Sequence, residues 1–452
     1  MLVAPFFIGS RSRRFHGKSR SGLIPFALVV LLLLLFSFPV YSPGRIYIDI
    51  NAPSVQKFRI AIPDFTNLTK QHKHQDLVSK LEDVISNDLD LSGYFSLIDK
   101  DAYLVGENST LNPGNIQFKD WSVIGAELLL LGRYTCIDNS LEVEVRLFDV
   151  FSGRQILGKR ALGDRNTYRF LIHRLSNEII KKLTGHEGIF LTKLAFTSDA
   201  LGHKEIYTCD YDGHNVRQET KNERIALLPR LSPDGEKISY TSYREGSPML
   251  YLKNLKTRVV KRLSGRAGLN LGVSWSPKGS KIALTMSRRG NPDIYIVDLD
   301  GNILKRLTTY WGIDVSPSFS PNGNKIAFVS NRSGSPQIYV LDQATGKTER
   351  LTFNSSYNTS PSWSSLDRIA FTSITNGNLD IFSMATDGGR LRRLTENQGK
   401  NEDPCWSPDG RYIVFSSNRD GPYNLYIMNA NGQNQRKITS FAGNHASPSW
   451  GK

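Results

Sequence analysis

The stretch WSPDGRYIVFSSNRDGPYNLYIMNANGQNQRKIT (406–439) decides the fold. Its Pro-Asp-Gly forms a turn, because proline presets φ and glycine accepts positive φ. The run YIVFSS (412–417) that follows alternates in the manner of a strand with one buried face. The same unit recurs upstream. Its turn reads LSPDG (231–235), WSPKG (275–279), FSPNG (319–323) and WSSLD (363–367). The following strands read KISYTS, KIALTM, KIAFVS and RIAFTS, and the units close on KRLS, KRLT, ERLT, RRLT and RKIT. An aliphatic-aromatic pair marks every unit. Its aromatic member falls at Tyr207, Tyr251, Tyr295, Tyr339, Phe382 and Tyr426, at intervals of 44, 44, 44, 43 and 44 residues. Stretches such as Arg332–Pro336 make a second turn, and pairs such as Asp300-Gly301 and Thr345-Gly346 make the last hairpin. Four short strands per unit are a propeller blade, and six units make a six-bladed ring.

The first unit is incomplete. It holds LAFTS (194–198) and Ile206-Tyr207, but no Pro-x-Trp strand precedes them. The chain instead ends on a spare copy, Ser447-Pro448-Ser449-Trp450, with Trp450 44 residues after Trp406. The C-terminal strand is therefore expected to complete the first blade and close the ring.

Residues 45–185 read differently. RIYIDI (45–50) and KFRIAIPDF (57–65) are strand-like, and 127–136 with 140–153 form a hairpin. Leu77, Leu81, Val84, Ile85 and Leu89 share one face of a helix over 74–91. A second helix, over 168–183, carries Phe170, Leu171, Leu175, Ile179 and Leu183. The expected fold class is an α/β N-terminal domain (45–185) followed by an all-β six-bladed β-propeller with WD40-like repeats (189–452). Ahead of both, basic residues 11–20 precede the apolar run 23–40, the layout of a secretory signal. A cut before Arg45 is expected. Retention of 1–44 would make it an anchor. In either case, the rest works outside the cytoplasm.

Composition excludes several function classes. Five of the 57 basic residues lie in 1–44, leaving 52 against 42 acidic and a net charge of +10, spread singly through turns. That pattern gives no nucleic-acid footprint. Cys136, Cys209 and Cys405 are far apart and frame neither a zinc site nor a disulfide scaffold. No Gly-x-Ser-x-Gly elbow is present. His186-Glu187 lacks a histidine at 190, His72 and His74 are a lone pair, and Asp210–Gly213 falls where other blades carry hairpin turns. No cofactor, metal or small-molecule substrate is expected.

The combination of export signal, small α/β domain with Ile62-Pro63-Asp64-Phe65, six Ser-Pro-Asp-Gly blades and a C-terminal Pro-x-Trp strand resembles the TolB family. The resemblance covers about residues 45–452, whereas the blade motif alone is shared with many propellers. It implies a periplasmic, non-enzymatic binding protein of the Tol–Pal system. Such a protein supports outer-membrane integrity and envelope constriction at cell division. In the family, the propeller binds Pal, a peptidoglycan-associated lipoprotein. The mature N-terminal strand binds TolA-like inner-membrane protein, and there is room for other outer-membrane proteins. Here that strand would be Arg45, Ile46, Tyr47, Ile48, Asp49 and Ile50, able to add to a partner's sheet edge. It also reads simply as the first strand of its own domain. Gly268-Leu269-Asn270-Leu271 lacks the histidine that some relatives carry at the lipoprotein-facing loop, so individual contacts do not transfer.

The loops leading into the Pro-x-Trp strands should ring the channel mouth. Asn270, Trp311, Asp314, Asn358, Asn401, Glu402, Asp403 and His445 are the candidate partner-binding residues there. They could equally cap the channel and bind water. Two other readings stand beside the scaffold. One is an exported propeller hydrolase or lyase using the channel, with Asp403 and His445 as the nearest acid–histidine pair. The other is a membrane-anchored sensor that keeps residues 1–44.

Overall fold

A computed structural model describes residues 57–70, 73–104, 113–221 and 223–452. The apolar run 23–40 and the strand-like Arg45–Ile50 lie outside the described residues. No helix among the described residues is long and apolar enough to cross a membrane.

The amino-terminal domain is one mixed sheet with helices on it. Strand β1 (Phe58–Ala61) sits between β3 (Phe95–Leu97) and β4 (Leu128–Ile137), parallel to both, while short β2 (Thr66–Asn67) pairs with β4. Antiparallel β5 (Ser140–Asp149) and β6 (Gln155–Asp164) complete the sheet. Helix α1 (Leu77–Leu91) buries Leu77, Leu81, Val84, Ile85 and Leu89, the stripe its 3.6-residue period presents. Short α2 (Phe118–Val123) packs Trp121 against Leu129, Leu131 and Phe148 on the sheet. Helix α3 (Tyr168–Thr184) buries Leu171, Ile172, Leu175, Ile179 and Leu183 and ends on Gly185 at φ 76°. Phe170, expected on that face, is instead exposed, and Ile172 takes its place.

The propeller has six four-stranded antiparallel sheets. Each turn after an innermost strand needs positive φ at its fifth residue. Gly235, Gly279, Gly323 and Gly410 supply 68–74°, and Asp367 supplies 53° where the motif reads WSSLD. Blade one is assembled from both ends of the domain. His445–Gly451 pairs with Lys193–Ser198, which continues into Glu205–Asp210 and Arg217–Gln218. The spare C-terminal copy thus closes the ring, as its sequence implied.

A second ring of hydrogen bonds joins neighbouring innermost strands. The sixth residue of one strand donates its N–H to the fifth side chain of the preceding blade. Leu231 donates to Ser449 Oγ (3.0 Å), Phe319 to Ser274 Oγ (3.1 Å), Trp363 to Ser318 Oγ (2.9 Å) and Trp406 to Ser362 Oγ (3.3 Å). Trp450 donates to Cys405 Sγ (3.3 Å). At the remaining step the fifth residue is Arg230, which has no hydroxyl. There the Trp275 indole donates to the Arg230 carbonyl oxygen (3.1 Å) instead.

The closing strand should therefore be worth more than its length. Trp450 is buried, packs against Tyr412 and donates its indole N–H to Thr192 Oγ1. Trp450→Ala is expected to cost about 3–5 kcal/mol by cavity formation, read as a fall in the urea midpoint. An unchanged midpoint would mean that the ring does not depend on its C-terminal strand.

Candidate functional site

The innermost strands run Ala226–Leu231, Asn270–Trp275, Asp314–Phe319, Asn358–Trp363, Asn401–Trp406 and His445–Gly451. Their first residues lie at one end of the channel, and their Ser-Pro turns lie at the other. The amino-terminal domain docks at the turn end: Tyr412 OH donates to the Ser92 carbonyl (2.8 Å) and Arg411 Nη1 to Tyr94 OH (2.6 Å). Arg436 also pairs with Asp90. The opposite mouth carries none of these contacts.

Five of the eight candidate residues occupy the first strand position, and burial corrects the reading that they are displayed. Asn270, Asp314, Asn358, Asn401 and His445 are each at most 2% exposed. Their side chains are committed to the blade wall. Asn270 donates to the Pro248 and Arg266 carbonyls. Both Asp314 carboxylate oxygens accept from Arg332 (3.1 and 3.0 Å). Asn358 donates to Gln337 Oε1, and Asn401 donates to Asp380 while accepting from Arg419. Buried polar groups must find such partners. His445 contacts Ser198 Oγ and the Phe441 carbonyl oxygen, each at 3.0 Å, and burial pushes its pKa down. It is not aimed at Asp403, so the acid–histidine pair that a channel hydrolase would need does not form.

Glu402 and Asp403 are half-buried further down the channel. The third residue of every innermost strand has φ between 51° and 59°: Leu228, Gly272, Ser316, Ser360, Asp403 and Ser447. Each marks a bulge in which the strand gains one residue on its partner. The bulge turns the third side chains toward one another across blades. Asp403 accepts from Ser360 Oγ (2.8 Å) and Ser447 Oγ (3.0 Å). Burial and the Asp403 charge raise the pKa of neighbouring Glu402. Below this ring, on the turn side, the channel opens to a cavity of about 480 Å³ lined by Arg230, Ser318, Ser362, Trp363 and Trp406 among others.

Two known families match parts of the chain. Residues 180–452 match the TolB beta propeller domain, and residues 46–156 match the TolB amino-terminal domain. The chain belongs to the TolB family. The Tol-Pal system protein TolB of Desulfosudis oleivorans is 39% identical over 250 residues, 55% of this chain and 57% of the relative. That of Desulfotalea psychrophila is 34% identical over 255 residues, 54% of this chain and 56% of the relative. The chain thus aligns over little more than half the length of these curated relatives. The crystal structure of TolB from Acinetobacter baumannii has a TM-score of 0.77 at 28% identity, covering 90% of this chain and 100% of that one.

In this TolB-family chain, the mouth away from the amino-terminal domain carries the apolar surface. Trp311 is 79% exposed and Phe353 68%. Tyr310 packs at 5.1 Å from Trp311, with the Arg332 guanidinium 5.0 Å from the Tyr310 ring. The residue just before each innermost strand reads Ile225, Leu269, Ile313, Tyr357, Lys400 and Asn444. The first four are apolar, Leu269 partly exposed and the other three exposed. They form an apolar arc over four consecutive blades, and two polar blades close the circle. The sequence reading found Trp311 but missed the arc. The 44-residue spacing that revealed the blades would also have revealed 225, 269, 313 and 357.

The buried first positions should behave as structure. Asp314→Ala strands the Arg332 guanidinium, so a loss of roughly 3 kcal/mol in unfolding free energy is expected. Wild-type stability would instead return Asp314 to the list of contact residues.

Proposed function

We propose that this chain is a periplasmic, non-enzymatic scaffold of the Tol–Pal system, whose open propeller mouth binds a peptidoglycan-associated lipoprotein. The observation that carries this reading is the exposed arc of Ile225, Ile313 and Tyr357 with Trp311 and Phe353 beside it. Exposed apolar side chains gathered at one end of the propeller favour a protein-binding site, and tryptophan is among the residue types most enriched at interface hot spots. The names of the relatives support the Tol–Pal assignment. His445 is engaged by Ser198 and Phe441 and not by Asp403, which supports a binding role over channel chemistry.

Residues Arg45–Ile50 serve in this proposal as an extended strand that adds to a sheet edge of a TolA-like inner-membrane protein. Bound at both ends, the scaffold would couple the inner membrane to peptidoglycan, supporting outer-membrane integrity and constriction. Other outer-membrane proteins are the further partners in this proposal.

Trp311→Ala and Phe353→Ala test the mouth directly. Both side chains are exposed, so neither change should alter the unfolding free energy by more than about 0.5 kcal/mol. Calorimetric titration with the purified lipoprotein of the same organism should weaken by at least about 2 kcal/mol for Trp311→Ala. Undiminished binding by both variants would place the partner elsewhere.

A further inference from the structure

The Asp210–Gly213 hairpin of blade one does not end in solvent. It inserts against the amino-terminal domain. Tyr211 is fully buried, and its hydroxyl donates to Asp88 Oδ1 of α1. Asp212 pairs with Arg169 of α3. Between the two carboxylates stands His173 of α3, 2% exposed. Its Nδ1 lies 2.9 Å from Asp88 Oδ2, and its Nε2 lies 3.6 Å from Asp212 Oδ2. Nε2 is buried and lacks a hydrogen-bond partner.

Charge and proton counts decide the state of this cluster. Two carboxylates face one guanidinium, which leaves one negative charge uncompensated in a largely buried site. A carboxylate on each side of the imidazole calls for an N–H on each nitrogen. Only the imidazolium supplies both protons and the missing positive charge. Asp88, His173 and Asp212 also lie within 4.8 Å of one another, a spacing that would suit a metal ion. Tyr211 and Arg169 already donate to the carboxylates, however, and Arg169 repels a divalent cation.

We propose that His173 is a proton-binding site that locks the amino-terminal domain to blade one, and that loss of this proton loosens the interface. The groups facing it are Asp88 from α1, Tyr211 and Asp212 from the hairpin, and Arg169 from its own helix. Burial pushes the His173 pKa down, but the hydrogen bond and charge of Asp88, with the charge of Asp212, outweigh burial and raise it. A folded-state pKa above the unfolded one gives stabilisation that is complete below the unfolded value, about 6.5. It fades as pH rises through the folded value. The lock therefore holds in acid and releases toward alkaline pH. Release would loosen the blade-one side of the contact between the domain that carries the proposed TolA-binding strand and the propeller that carries the proposed lipoprotein-binding mouth, while the Tyr412, Arg411 and Arg436 contacts of blade six remain.

Hydrogen–deuterium exchange of the full chain between pH 6 and pH 9, corrected for intrinsic rates, tests this. Protection of the 88–94 and 209–214 amides should fall with pH, by no more than about tenfold per unit for a single proton. Core amides of blades three to five should stay unchanged. His173→Gln should show the same loosened interface at both pH values. Asp212→Asn, which keeps the imidazole but removes one carboxylate, should move the midpoint to lower pH. It serves as the readout if the glutamine variant does not fold. Flat protection in the wild type, or an unshifted profile in Asp212→Asn, would overturn the proposal. So would loss of protection on adding EDTA at pH 6, since a metal rather than a proton would then hold the site.

Discussion

The pairing of His445–Gly451 with Lys193–Ser198 is the contact on which the propeller depends. Without it, blade one would lack its innermost strand and the ring would have two open edges, each offering unpaired backbone groups to other chains. With it, each of the six sheets packs against two neighbours, and the hydroxyl ring through Ser449, Ser274, Ser318 and Ser362 ties adjacent inner strands together. Closure also fixes the six bulges that face the axis. Gly272 takes its positive φ freely, but the other five are strained individually, and such strain persists only where the surrounding structure over-determines it.

Closure gives the molecule two unlike ends. The turn end is occupied by the amino-terminal domain, through Tyr412, Arg411 and Arg436 on blade six and Tyr211 and Asp212 on blade one. The other end is left open and carries an apolar arc. The proposed scaffold, which would hold one partner at its mouth and present a strand at its amino terminus, needs this polarity. The only carboxylate in the ring of third positions, Asp403, is held by two serines, so the channel is built as a wall more than as a reaction chamber.

Much of this was legible in the sequence because a repeat averages over local ambiguity. The 44-residue spacing fixed blade number, and the spare copy of the Pro-x-Trp strand fixed closure. Helix α1 followed from its apolar stripe. Strand β6 was missed because only Leu157 and Ala161 are buried in it, four residues apart, while Lys159 and Arg160 are exposed and Gly158 adds no side chain. The first-position residues were misread for a different reason. A polar side chain in a loop-like stretch looks exposed until its partner is known, and for Asp314, Asn358 and Asn401 the charged or amide partners lie 18 to 21 residues on or back, as Arg332 does for Asp314 and Gln337 for Asn358. The His173 cluster was invisible for the same cause at greater range. Its members lie 85 and 123 residues from Asp88.

Site-specific photo-cross-linking in living cells distinguishes the two ends of the propeller. A photoreactive side chain would be placed at Trp311 on the open mouth, or at Lys278 on an exposed turn at the opposite end. The peptidoglycan-associated lipoprotein is expected to be captured from position 311 and not from 278. Capture from 278 alone would contradict this, because the partner would then sit at the end where the amino-terminal domain docks.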